Sequence, residues 1–420
     1  MKMPKIRFKA NDNTDYPDWN DNNLGELGSF YGGLSGKSKE DFVGGNCRYI
    51  TYKNVYLNTF ATPCSNDLVK IKPSEHQNKV KKFDVLFTQS SETFEEVGLS
   101  SIYLYDDEPY LNSFCKGFRF RNLDHICPEF IGYQLRSNKV RHAIMLMGQG
   151  ISRINLRTEF LCKLTLSLPT LAEQHKIADL LLGVDAIIEK QQTEVATWEQ
   201  YKKGLAQKLF DQEVRFKADD GSDFPAWKRV RIGDLGCFIG GLTFKKTDTI
   251  DSAGLAVLTA TNIGSDGSLN YKSEVQFVDK VAKPHQYLMP NDIVICKSNG
   301  SQHLVGKAAK YDGGYSGPNG ITVGAFCGIF RSSCPIIPFW FQSDDYKDLI
   351  KNSRQGEKGS LSNIKGSDIE NHYATLPTSQ EEQRKIAECL DAINDVIALA
   401  KDELEKWREL KKGLLQQLFV

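Results

Sequence analysis

Apolar positions along the chain follow two different periods. In residues 177–209 they recur in steps of three and four, through Ile177, Leu181, Val184, Ile188, Val195, Trp198, Leu205 and Leu209. The same spacing returns near the C-terminus at Ile386, Leu390, Ile393, Ile397, Ala400, Leu404, Trp407, Leu414 and Leu418. Such steps, sustained over about five heptads, predict a coiled-coil seam on a long helix. At 1.5 Å per residue each helix would be about 60 Å long. Elsewhere the pattern shortens. Runs such as Asp84-Val85-Leu86-Phe87 and Asp292-Ile293-Val294-Ile295 predict buried strands, and residues 130–147 and 338–353 predict helices. That mixture is α+β.

The chain is also written twice. Arg7-Phe8-Lys9-Ala10 recurs as Arg215-Phe216-Lys217-Ala218, and Asp15, Pro17 and Trp19 recur as Asp223, Pro225 and Trp227. The match runs on through Asp84, Ser90, Val97 and Gly98 against Asp292, Ser298, Val305 and Gly306. One residue of drift later, Gln174-x-Lys176-Ile177-Ala178 meets Gln383-x-Lys385-Ile386-Ala387. A period this long is domain duplication rather than a solenoid. The organisation is therefore globule 1–167, helix 168–210, globule 211–375 and helix 376–420. If the second helix packs on the first it must run back, so the pair is expected to be antiparallel, with a pseudo-twofold axis. Two globules at opposite ends of a stiff ruler suit the reading of two separated features on one long partner.

Composition bounds the function. Lys+Arg and Asp+Glu both number 53, so net charge alone favours neither a nucleic-acid partner nor a protein one. No run of about 18 apolar residues exists to cross a bilayer, and the N-terminus lacks an apolar signal segment. The ten cysteines include no C-x-x-C pair, which speaks against a disulfide framework or zinc ribbon. A soluble cytoplasmic protein without a membrane partner is expected.

Catalytic motifs fail on inspection. Gly32-Gly33-Leu34-Ser35-Gly36-Lys37-Ser38 is close to a phosphate loop, but Tyr31 replaces its first Gly and Gly44-Gly45 interrupts any following helix. Pro290, Asp292 and Lys297 are a fragment of a nuclease site, with Ile295 where a second acid should hold Mg²⁺. No Pro-Pro exists for the loop that grips an amine in amino-methyltransferases, and no G-x-S-x-G elbow appears. No catalytic centre, metal or cofactor is expected.

The combination of Leu168-Pro169-Thr170, Glu173-Gln174, Lys176-Ile177-Ala178 and their second copies, with Asp223-Phe224-Pro225-x-Trp227 and Asn291-Asp292-Ile293-Val294, resembles the specificity subunits of type I restriction–modification enzymes. The resemblance covers essentially the whole chain. It implies two similar α/β target recognition domains, separated by the long antiparallel helices, each reading half of an asymmetric bipartite site in double-stranded DNA. It further implies a non-catalytic subunit whose helices dock two methyltransferase subunits, with restriction/translocase subunits completing the complex. Framework positions agree between the copies, while the loop after the shared strand does not. Gln89, Ser90, Ser91 and Thr93 face Lys297, Ser298, Asn299 and Gln302, residue types that suit base edges. A second candidate surface precedes each helix, with Gln149, Arg153 and Asn155 in one copy and Arg354, Gln355 and Lys358 in the other. Lys245, Lys246, Arg119 and Arg121 are weaker candidates for phosphate contact. The competing reading is a coiled-coil protein scaffold without DNA specificity, which would show no salt-dependent retention on duplex DNA.

Overall fold

A computed structural model describes residues 4–63, 66–353 and 362–419. The chain divides into two compact units, one formed by residues 1–193 with 401–420 and the other by 194–400. The division falls inside both long helices, Leu171–Phe210 and Gln380–Leu418, so each unit holds a part of each.

In the first unit a five-stranded sheet runs Gly28–Gly32, Cys115–Phe120, Val85–Thr88, Ser100–Tyr103, Phe60–Ala61. The central strand Val85–Thr88 is buried at every residue, which is why its sequence reads as an unbroken apolar run. Helix Pro128–Leu135 covers the sheet, and Phe130, Ile131 and Leu135 share a core with Val85, Phe87 and Phe118. In the second unit the corresponding sheet runs Gly236–Gly240, Cys327–Ser332, Ile293–Cys296, Ala308–Lys310. A further four-stranded sheet, Thr249–Ile250, Gln276–Val278, Leu255–Leu258, Ile321–Val323, packs beside it.

The two long helical stretches expected at 130–147 and 338–353 are each broken in two. Pro128–Leu135 and Asn138–Met147 are separated at Arg136 and Ser137, and Ile337–Trp340 and Asp344–Ser353 at residues 341–343. A serine bonds back to the preceding helix at both breaks. The Ser137 hydroxyl donates to the Gln134 carbonyl at 2.7 Å, and the Ser343 hydroxyl to the Trp340 carbonyl at 2.7 Å. Ser343 also accepts from the Tyr346 N–H at 3.3 Å and so caps the next helix, whereas Ser137 stands at the start of its helix without a side-chain bond to it.

The repeated sequence signatures turn out to be two halves of one clamp. Arg7 grips the buried Glu173 carboxylate with two hydrogen bonds, at 3.0 and 2.7 Å, and Arg215 grips Glu382 at 3.0 and 3.0 Å. Lys176 donates to the Lys9 carbonyl and Lys385 to the Lys217 carbonyl, both at 2.8 Å. Gln174 accepts from the Cys127 N–H and donates to the carbonyls of His125 and Pro169. Thus Arg-x-Lys and Glu-Gln-x-Lys hold the start of each globule against the start of its following helix. A buried carboxylate tolerates burial only with such partners.

Burial along the expected seam is uneven. Ile177, Leu181 and Val184 lie in the first unit with Leu414, Leu418 and Phe419, and Lys411 bonds Asp185 at 2.6 Å. The Lys411–Asp185 pair brings the two helix segments side by side within this unit. In the second unit Leu205 and Leu209 join Ile386 and Leu390 in one core. Ile393, Ile397 and Leu404 are buried, while Ile188, Trp198, Trp407 and Leu414 are half-buried. No helix among the described residues is long and apolar enough to cross a membrane.

Candidate nucleic-acid interface

Two segments that lie far apart in the sequence meet at the end of each central strand. In the first unit Val85–Thr88 leaves the sheet into Gln89, whose N–H donates to the Phe114 carbonyl and whose carbonyl accepts from the Leu156 N–H, both at 2.9 Å. Ser90 and Ser91 then pair antiparallel with Asn155 and Ile154. The two candidate surfaces of this repeat are therefore a single ribbon. Its far strand is half of a hairpin in which Gln149 and Asn155 exchange both backbone hydrogen bonds, at 3.0 and 2.8 Å. Gly150 turns this hairpin at φ +137°, and a Cβ there would sit 1.9 Å from the Arg153 carbonyl oxygen, so only glycine fits.

Side chains on this ribbon divide by role. Thr93, Gln149, Arg153 and Asn155 are exposed, and Gln89 and Ser90 are half-buried. The Arg153 guanidinium lies 5.4 Å from the centre of the Phe114 ring. Ser91 is buried, and its hydroxyl donates to the Thr93 carbonyl, so it shapes the loop. Glu92 and Glu95 are exposed on the same loop, giving it acceptors as well as donors. From behind, Arg141 donates to the carbonyls of Glu95 and Val97 at 2.9 and 2.7 Å, and burial lowers its guanidinium to about 10.

The second unit repeats the plan. Ile293–Cys296 leads into Lys297, whose N–H donates to the Phe326 carbonyl at 2.8 Å; Ser298 N–H donates to the same oxygen at 3.0 Å. Ser298 and Asn299 pair with Asn363 and Ser362, and the Ile364 N–H donates to the Lys297 carbonyl at 3.0 Å. Lys297, Ser298 and Asn299 are half-buried and Gln302 is exposed. Asn299 accepts from the Ser301 N–H, closing the loop on itself. Tyr346 replaces Arg141 as the support, donating its hydroxyl to the Gly306 carbonyl at 3.0 Å. Arg354, Gln355 and Lys358 lie outside the described residues. Lys245 and Lys246 are exposed on a turn held by Asp248, and a Cβ on Gly324, two residues before Phe326, would lie 3.5 Å from the neighbouring Phe244 ring.

Several charged residues are committed to the fold. Arg119 forms a two-bond pair with buried Asp84 at 2.8 and 2.6 Å and also donates to the Lys79 carbonyl, so its Nε and Nη2 are committed to the fold. Arg331 makes the same pair with Asp292, at 2.8 and 2.6 Å, which accounts for the isolated acid of the nuclease-like fragment. Arg121 reaches the Gly25 carbonyl at 3.3 Å. Lys37, the lysine of the phosphate-loop near-miss, bonds Glu75 and the Lys70 carbonyl at 2.6 Å. Burial pushes the Cys296 and Cys327 thiols up, to about 11 and about 12, so neither is poised as a nucleophile.

One feature beside the ribbon is absent from the expectations drawn from sequence. Phe114 and Phe326 are exposed aromatics that occupy the same place in both units. The signal was present as Phe-Cys-x-x-Phe-Arg at 114–119 and again at 326–331. Its two copies stand four residues out of step with the preceding repeat, which hides the match.

Residues 16–197 match the family described as the type I restriction modification DNA specificity domain. The chain is similar to the StySPI type I restriction enzyme specificity subunit of Salmonella potsdam, 29% identical over 202 residues, which cover 46% of this chain and 42% of that one. It is equally similar to the EcoKI specificity subunit of Escherichia coli K12, 29% identical over 198 residues, covering 45% and 41%. The match thus spans under half the length of these curated relatives. Along its whole length the fold is similar to the S subunit of a type I restriction–modification system from M. genitalium. There the TM-score is 0.55 at 16% identity, with 100% of this chain and 99% of that one covered.

Proposed function

We propose that the chain is a specificity subunit of a type I restriction–modification system and reads an asymmetric, bipartite site in double-stranded DNA, one half-site per repeat; the match of residues 16–197 and the shared fold support this. The observation that carries this reading is the ribbon. Each unit grips its strand exit by the same backbone bonds and repeats Ser90 and Asn155 as Ser298 and Asn363, but carries different side chains beside them, Gln89 and Ser91 against Lys297 and Asn299. A shared scaffold with divergent tips is what two different half-sites need. Residues 1–167 and 211–375 are the two recognition domains of this proposal, and 168–210 with 376–420 are the spacer.

In this proposal the chain itself is non-catalytic. Two methyltransferase subunits dock on the long helices, and restriction/translocase subunits complete the assembly. The test is a domain exchange in the assembled methyltransferase. Replacing residues 211–375 with the matching domain of a relative should change one half-site and preserve the other, read by mapping modified adenines across the genome. A map in which both halves changed together would overturn the division of labour. The highly purified chain alone, given S-adenosylmethionine, Mg²⁺ and ATP, should neither methylate nor cleave DNA.

A further inference from the structure

The hexapeptide Phe-Cys-x-x-Phe-Arg occurs once in each unit, and folding explains all of its fixed residues but one. Cys115 and Cys327 are buried and lie opposite Thr88 and Cys296, the last residues of the central strands. Phe118 and Phe330 are fully buried in the cores. Arg119 and Arg331 close on Asp84 and Asp292. The leading phenylalanines have no such role, for Phe114 is 51% exposed and Phe326 62%. An exposed aromatic needs no explanation when single. Here the same ring stands at the same register position twice, while the loops around it diverge.

Position ties these rings to the reading surface. The Phe114 carbonyl holds the Gln89 N–H, and the Phe326 carbonyl holds the N–H groups of Lys297 and Ser298. Each ring is thus anchored by its own backbone to the residue that begins the divergent loop. In the first unit Arg153 lies over the ring, and the exposed Ile151 crowns the adjoining hairpin. Each ring thus stands at the start of a loop that carries amide, hydroxyl and cationic side chains, Gln89, Thr93 and Arg153 in one unit and Lys297, Ser298 and Gln302 in the other. A base edge in the major groove calls for such a mixture, because thymine presents a methyl group among donors and acceptors.

We propose that Phe114 and Phe326 are the apolar base contacts of the two half-sites, each packing on a thymine methyl group. This rests on the reading of the repeats as DNA recognition domains. A residue common to both domains should meet something common to both half-sites, and if both are methylated on adenine each contains an A·T pair. The polar residues that differ between the loops then distinguish the half-sites, while the ring supplies a shared contact.

The test uses the chain assembled with its methyltransferase subunits and duplexes in which each thymine of the site is replaced singly by deoxyuridine, which lacks only the methyl. Wild-type affinity should fall about fourfold at one thymine in each half-site, the effect of burying one methyl-sized group. Phe114→Ala should abolish that sensitivity in one half-site alone, and Phe326→Ala in the other, with Phe→Leu at either position retaining part of it. The slope of affinity against salt should be unchanged in all variants, since no phosphate contact is lost. Uracil sensitivity that persists in the alanine variants overturns the proposal, as does indifference of the wild type to every replacement. An assembly that binds all duplexes alike, without sequence preference, overturns instead the recognition reading on which it stands. Both rings are exposed, so the variants should assemble normally, and co-purification with the methyltransferase subunits verifies this.

Discussion

Lys297 is gripped on both sides by its backbone, through the Phe326 carbonyl and the Ile364 N–H, so its main chain cannot drift when the side chain is cut. That makes Lys297→Ala a clean probe. The variant should weaken or relax one position of one half-site, by about 1–3 kcal/mol for a bidentate base contact. Competition binding with every single-base variant of the site measures this, and an unchanged preference and affinity would return Lys297 to an ordinary solvated loop. Arg119 makes the opposite case. Its type suggested phosphate contact, yet its Nε and Nη2 are committed to Asp84. Residue type alone cannot separate the two, because an arginine on an internal carboxylate and one awaiting a phosphate look identical in sequence. The repeat could have separated them: Asp84 with Arg119 and Asp292 with Arg331 recur together, as a structural pair does. Phe114 and Phe326 escaped for a related reason, since their repeat is offset from the rest.

At the scale of elements, the clamp explains why certain short motifs recur. Glu173 is wholly buried and its charge is met by Arg7. Arg7→Met should therefore destabilise the first unit by about 3–5 kcal/mol, the cost of leaving a buried carboxylate unpaired. Arg7→Met combined with Glu173→Leu should recover much of that loss, because the unpaired charge is then removed too. Urea denaturation of both variants checks the pair, and equal destabilisation by the single and double changes would mean that packing, not charge, holds the strap. Heptad spacing made the long helices plain, and the α+β pattern made the globules plain, because both are local signals. The ribbon was not plain. Segments 89–93 and 149–155 were each singled out, but strand pairing across that separation leaves no mark in either segment. Likewise the serines at the two helix breaks, 137 and 343, lay inside an apolar pattern that otherwise continued.

At the scale of the whole molecule, the two helices are the part whose proposed role is metric. Each is continuous over 40 and 39 residues. We take them to set the gap between the half-sites, an arrangement that insertion can test. Four residues added after Gln192 and after Leu399, both on exposed positions, lengthen each helix by roughly 6 Å. Duplex DNA rises about 3.4 Å per base pair, so the preferred gap should grow by one or two pairs. Each added pair also turns the far half-site by about a tenth of a helical turn. The insertion is a stutter that locally unwinds a supercoil, and it need not match that rotation, so some affinity should be lost while both half-site sequences are kept. Mapping modified adenines in cells carrying the insertion reads the new gap directly. A well-folded variant that methylated the original site, with its original gap and at full efficiency, would remove the metric role. The helices would then act only as the surface on which the methyltransferase subunits dock.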